Sequence, residues 1–130
     1  MEKKDANKKN KLIHAASSLL LYTAPDGSET IEVRLENETV WLTQSAMAEL
    51  FQTTPQNITM HLKEIYAEGE LAAKSTCKEL LQVRVEGKRQ VQRSLMHYNL
   101  EAILAVGYRV RSARGTAFRQ WATARLNQDL

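Results

Sequence analysis

Between Thr43 and Ile65 the apolar positions recur at the spacing of two short helices separated by a polar break. Ala46, Met47, Leu50 and Phe51 share one face of the first, and Thr43 stands where its hydroxyl can accept from an amide of the first turn. Small Ala48 lies where two such helices approach most closely. Thr53-Thr54-Pro55 then supplies a cap followed by proline at the first helical position, where a missing N–H costs no bond. In the second helix Ile58, Leu62 and Ile65 form a buried stripe, leaving Gln56, Asn57, Thr59, Met60 and Lys63 on its other faces. The pattern predicts a helix-turn-helix over residues 43–66. The glycine common at the turn of such motifs is absent; Gln52 or Thr53 occupies its place. An ordinary helical hairpin with solvated Gln, Asn and Thr side chains has the same pattern.

The flanking segments alternate at period two. Leu19 to Thr23, the turn Pro25-Asp26-Gly27-Ser28 and Thr30 to Leu35 predict a β-hairpin, with Ile31, Val33 and Leu35 facing in and Glu32, Arg34 and Glu36 wet. Asn37-Glu38 is a second turn, and Val40-Trp41-Leu42 a third strand in which Trp41 would anchor the sheet to the helices. Gly69 is placed to end the second helix in the left-handed conformation. Leu81, Val83 and Val85 alternate with Gln82 and Arg84, Glu86-Gly87-Lys88 turns the chain, and Arg89 to Tyr98 returns, giving a hairpin over residues 80–98 with Lys88 and Arg89 at its tip. A hairpin after a recognition helix is the order of a winged helix. Asn99 caps a further helix that Gly107 is expected to stop. Residues 108–115 read as a basic connector, before a last helix with Phe118, Trp121, Ala122 and Leu126 on one side. The fold class is therefore α+β: a winged-helix-like helix-turn-helix with an N-terminal hairpin or small antiparallel sheet and a C-terminal helix pair. At 130 residues one domain is expected, over 17–130, preceded by a basic tail over 1–16.

Charge is distributed unevenly. The formal net charge is +3. Residues 1 to 11 carry five lysines against two acids, residues 26 to 50 one arginine against six acids, and residues 84 to 125 nine cations against two acids. A basic half is a natural phosphate-facing surface, since neutralising phosphates releases counterions. The bland alternative is that these arginines solvate helices or pair with the acidic third. The single cysteine, Cys77, excludes an internal disulfide, suits a reducing compartment, and reads as packed rather than nucleophilic. His14, His61 and His97 have no metal-ligand spacing, and neither a metal nor another cofactor is expected. The apolar run from Ala15 to Tyr22 is too short to span a bilayer and lacks a leader cleavage site. The expected location is cytoplasmic, with no membrane partner.

Several longer motifs occur in order: Glu32-Val33-Arg34-Leu35-Glu36, Thr39-Val40-Trp41-Leu42-Thr43-Gln44, Met47-Ala48-Glu49-Leu50-Phe51, Asn57-Ile58, Glu68-Gly69-Glu70-Leu71, Tyr98-Asn99-Leu100, Val106 to Ser112 and Gly115 to Thr123. Over roughly residues 19 to 128 the chain resembles the RhuM family of bacterial virulence-associated proteins. Its last segment is similar to the amino-terminal domain of phage BRO-type antirepressors. The resemblance implies a mobile-element or virulence context, nucleic-acid binding more than catalysis, and a chain that corresponds to the amino-terminal part of longer members or to a short member.

Three functions compete. A DNA-binding module, a transcriptional regulator with double-stranded DNA as partner, would use Thr43, Gln44, Ser45, Thr54, Gln56, Asn57, Thr59, Met60 and Lys63 from the helix pair, Lys88 and Arg89 from the hairpin tip, and Arg109, Arg111 and Arg114 from the connector. An antirepressor-like interaction module would use the same helices to hold a protein partner or a second copy, without DNA. An enzyme would need clustered carboxylates or histidines; His97 with Glu101 is the only close pair, better explained as capping a helix. No enzyme is expected.

Overall fold

The computed structural model describes residues 17–128. The expected basic tail lies outside them. β1 (Ser17–Thr23) and β2 (Thr30–Glu36) pair antiparallel from Ser17↔Glu36 to Thr23↔Thr30. In their turn, Asp26 Oδ1 accepts from the Ser28 amide at 2.9 Å, and Gly27 takes φ +74°. β2 leads to β3 (Thr39–Thr43) through Asn37 and Glu38, both at positive φ, 53° and 62°. Positive φ at both central residues is the mark of a type I′ turn, whose twist matches that of the flanking strands.

α1 (Gln44–Phe51) and α2 (Pro55–Ala67) follow. Each opens on a threonine cap: Thr43 Oγ1 accepts from the Ala46 amide and Thr54 Oγ1 from the Asn57 amide, both at 3.1 Å. The turn between them is closed by Gln52 in the left-handed region, φ 56°, with Thr53 N–H donating to the Ala48 carbonyl at 2.9 Å. The left-handed region costs a side chain about 1–2 kcal/mol that glycine is spared, and the extra freedom of the unfolded glycine variant takes back about 0.4–1 kcal/mol, so Gln52→Gly should raise stability by roughly 0.5–1 kcal/mol. Urea midpoints of the two proteins measure this, and a lower midpoint for the glycine variant contradicts it. Gly69, at φ +76°, ends α2 as expected, with Glu70 N–H donating to Ile65 O at 3.0 Å.

After the single turn α3 (Ala73–Thr76), β4 (Cys77–Glu86) and β5 (Arg89–Asn99) form the long hairpin, and α4 (Leu100–Arg109) and α5 (Arg114–Gln128) complete the described chain. The five-stranded sheet is antiparallel in the order β1-β2-β3-β5-β4. The fold is α+β. One sheet face carries Tyr22, Ile31, Val33, Val40 and Leu42 into a single core with Met47, Leu50, Ile58, Ile65, Ile103, Val106 and Phe118.

Three expectations change. Gly107 does not stop α4; it is buried inside the helix because the Phe51 ring lies where a side chain would start, 2.9 Å from an added Cβ. The connector is accordingly short, since Tyr108 and Arg109 are helical and α5 begins at Arg114. Trp41 is buried, at 5% exposure, but on the sheet face away from the helices, where its indole donates to Glu36 O at 2.8 Å and the Lys78 ammonium sits over its ring.

Candidate nucleic-acid interface

α2 is held from behind and open in front. Ile58, Leu62 and Ile65 are buried, while Gln56, Met60 and Lys63, which share the opposite face, are exposed. The remaining polar side chains of the helix pair are engaged in building it. Gln44 Nε2 donates to Thr59 Oγ1 at 2.8 Å, and Thr59 donates in turn to the Pro55 carbonyl at 3.0 Å, so the start of α1 is tied to the first turn of α2. Asn57 Nδ2 donates to Thr53 Oγ1 at 2.9 Å. Thr43 and Thr54 are caps. Of the residues expected at this interface, Ser45, Gln56, Met60 and Lys63 therefore present their side chains outward, whereas Thr43, Gln44, Thr54, Asn57 and Thr59 set the geometry.

Lys88 and Arg89 are exposed at the hairpin tip, where Glu86 pairs with Arg89 and Gly87 takes φ +66°. The basic half of the sequence, however, does not survive folding as one free surface. Arg109 spans the end of α2, reaching Glu68 at 2.6 Å, Glu70 at 3.0 Å and Glu64 at 3.3 Å. The hydrogen bonds it donates to Glu68 and Glu70 raise its pKa further, so it stays a fixed cation among three carboxylates. Arg114 Nε donates to the Leu50 carbonyl at 2.6 Å, satisfying one of the open carbonyls at the end of α1, while its amino groups approach Asp26, Ser28 and Glu29. Arg84 bridges to Glu32 at 3.1 Å. Arg109 and Arg114, both expected to face phosphates, are thus engaged in ion pairs, and the acidic groups that balance them come from distant sequence. Arg111, exposed at φ 56°, stays open to solvent.

The nucleophile and titratable groups are quiet. Cys77 is half-buried, its thiol donating to the Ala73 carbonyl, and burial raises its pKa, which disfavours the thiolate. His97 and Glu101 do not form a helical pair: His97 lies on β5, facing the sheet's outer side, and Glu101 is exposed in the first turn of α4. Burial lowers the His97 pKa below its ordinary 6.5, opposed by a bond from its Nδ1 to the Leu95 carbonyl, with Arg34 and Glu36 adding smaller, opposite effects. The unfolded chain takes up a proton below pH 6.5 that the folded state refuses, so this contribution is present above 6.5 and lost as pH falls through the depressed value. His97→Gln should flatten the loss of stability between neutral and mildly acidic pH. Denaturation midpoints across that window test it, and parallel pH profiles for parent and variant contradict it. What the sequence did not reveal is this outer face, where Arg34, Trp41 and His97 converge; the Glu32/Arg34 alternation signalled only a wet side.

No helix among the described residues is long and apolar enough to cross a membrane. No curated protein and no solved structure matches the chain. Residues 75–130, from the end of α3 onward, match the Virulence protein RhuM family.

Proposed function

We propose, from the premise that the chain belongs to the RhuM family, that it is a DNA-binding module with α2 as its reading helix. The observation that carries this reading is the stripe of Gln56, Met60 and Lys63, exposed along the face of α2 opposite its buried residues and braced at its start by the Gln44–Thr59 bond. Glutamine reads adenine edges bidentately, methionine offers apolar contact, and lysine serves guanine or phosphate. The order of elements supports it. β3 enters a tight helix pair, the hairpin β4–β5 follows, and β5 pairs back onto β3, as in a winged helix; Lys88 and Arg89 are then the wing tip. Regulation of transcription is the role that such a module serves.

A duplex selected from a random pool provides the test. Gln56→Ala should cost about 1–3 kcal/mol of preference for the selected sequence over random duplex while nonspecific affinity is retained, because base contacts carry specificity. Gln56 is exposed, so folding is spared. Unchanged preference would remove α2 from the reading role. If the protein binds no duplex at all, the antirepressor-like interaction module takes its place.

A further inference from the structure

The outer face of the sheet, with the start of α1 as one wall, encloses a cavity. β4 curls over it far enough that Arg34 on β2 donates to the Leu81 carbonyl at 2.7 Å and Glu32 meets Arg84, although β3 and β5 lie between the two strands in the sheet. The space left is about 550 Å3, floored by Arg34, Trp41 and His97 and rimmed by Leu19, Leu81 and Val83. That volume falls in the range of small-molecule sites, which combine an apolar lining with a few convergent polar groups.

Both parts are present, and neither is matched internally. Leu19, Leu81 and Val83 are 60%, 38% and 52% exposed, an apolar rim drawn from the two outer strands of the sheet. Beneath it, Glu32 is balanced by Arg84 and Glu36 by Lys78, but Arg34 has no carboxylate partner among the described residues. Glu49 lines the wall from α1. One bond to a carbonyl leaves most of the five guanidinium N–H donors of Arg34 unused. His97 is 2% exposed and lines the same space. Its Nδ1 is committed to the Leu95 carbonyl, so in the neutral form that burial favours, Nε2 is an acceptor, and it has no partner among the described residues.

We propose that this cavity binds a small organic anion with an apolar body: a carboxylate or sulfonate on Arg34, the body against Leu19, Leu81 and Val83, and, where the ligand carries one, an N–H or O–H donated to His97 Nε2. A charged hydrogen bond sheltered from water supplies specificity for the anion, and the rim supplies sequestration of the body. The site stands on the outer sheet face beside Thr43 and Ser45 at the start of α1, and its test uses no duplex.

The probes are 1-anilinonaphthalene-8-sulfonate and its uncharged analogue N-phenyl-1-naphthylamine, titrated into the full chain by fluorescence. The sulfonate should bind saturably at one equivalent. Arg34→Gln should weaken it at least about tenfold, the scale of one lost charged hydrogen bond, and leave the uncharged probe unaffected, with thermal melting unchanged. Leu19→Asp, at an exposed position, should weaken the sulfonate as well by placing a negative charge on the rim. No saturable binding, equal affinity in parent and Arg34→Gln, or equal loss for the two probes would overturn the proposal. If Arg34→Gln melts early, Leu19→Asp decides alone, and undiminished sulfonate binding there overturns it.

Discussion

Exchanging Ile58 for asparagine is expected to remove most of the protein's stability. The side chain is fully buried in the seam between α2 and the rest of the core, so truncating it leaves a cavity, and large-to-small changes of this kind cost about 2–5 kcal/mol. The amide adds a second cost, since a buried donor or acceptor without a partner loses about 1–3 kcal/mol. Against a typical total of about 5–15 kcal/mol, the combined loss takes the variant to the edge of unfolding. Urea denaturation followed by circular dichroism measures it. A midpoint within error of the parent's would mean that Ile58 is solvated and that the helical phase of α2, and with it the outward stripe of Gln56, Met60 and Lys63, is misassigned.

Phe118→Ala should be nearly as damaging, by about 3–5 kcal/mol. Phe118 is fully buried where α5 meets β1, its ring 5.1 Å from that of Tyr22 at an interplanar angle of 83° and 5.7 Å from that of Trp121. Tyr22 also meets Trp121 edge-on at 5.1 Å, so one deletion opens a three-ring cluster. The near-ultraviolet dichroism of Tyr22 and Trp121 should weaken in parallel with the denaturation midpoint. A large midpoint shift without that spectral change would place the loss elsewhere; no shift at all would show that α5 is not docked on the sheet through Phe118.

Local rules suffice where a residue's role is set within a turn or two of its own position. Thr43 and Thr54 were legible as caps, and Ile58, Leu62 and Ile65 as a buried stripe, because each depends on neighbours within a turn or two. The turn Asn37-Glu38 and the hairpin around Gly87 were legible for the same reason. Gly107 carries the local signal of a helix stop, but its role is set by Phe51, more than fifty positions away, whose ring excludes a side chain there. The size of Trp41 announces burial but not which side of the sheet supplies it, and the outer face does.

Charge was the least legible quantity. The basic run of residues 84 to 125 suggested one surface, yet Arg84, Arg109 and Arg114 close on acids from β2, from α2 and its exit, and from the β1–β2 turn region. Only the folded arrangement separates those cations from Lys63, Lys88 and Arg89, and it is this smaller set on which the proposed electrostatic contact rests. The cavity under β4 was hidden likewise, because curling of a strand over its own sheet leaves no period in the sequence.

Titration of random-sequence duplex at two salt concentrations tests the central claim most directly. Each phosphate neutralised contributes about 0.9 to the slope of log affinity against log salt, so contacts from Lys63, Lys88 and Arg89 predict that the triple glutamine variant binds all duplexes more weakly and with a slope flatter by about two to three. Arg109→Gln, by contrast, should leave the slope unchanged, since its guanidinium is held by Glu64, Glu68 and Glu70. Failure of the parent protein to bind duplex at low salt, or an undiminished slope in the triple variant, would contradict the DNA-binding account.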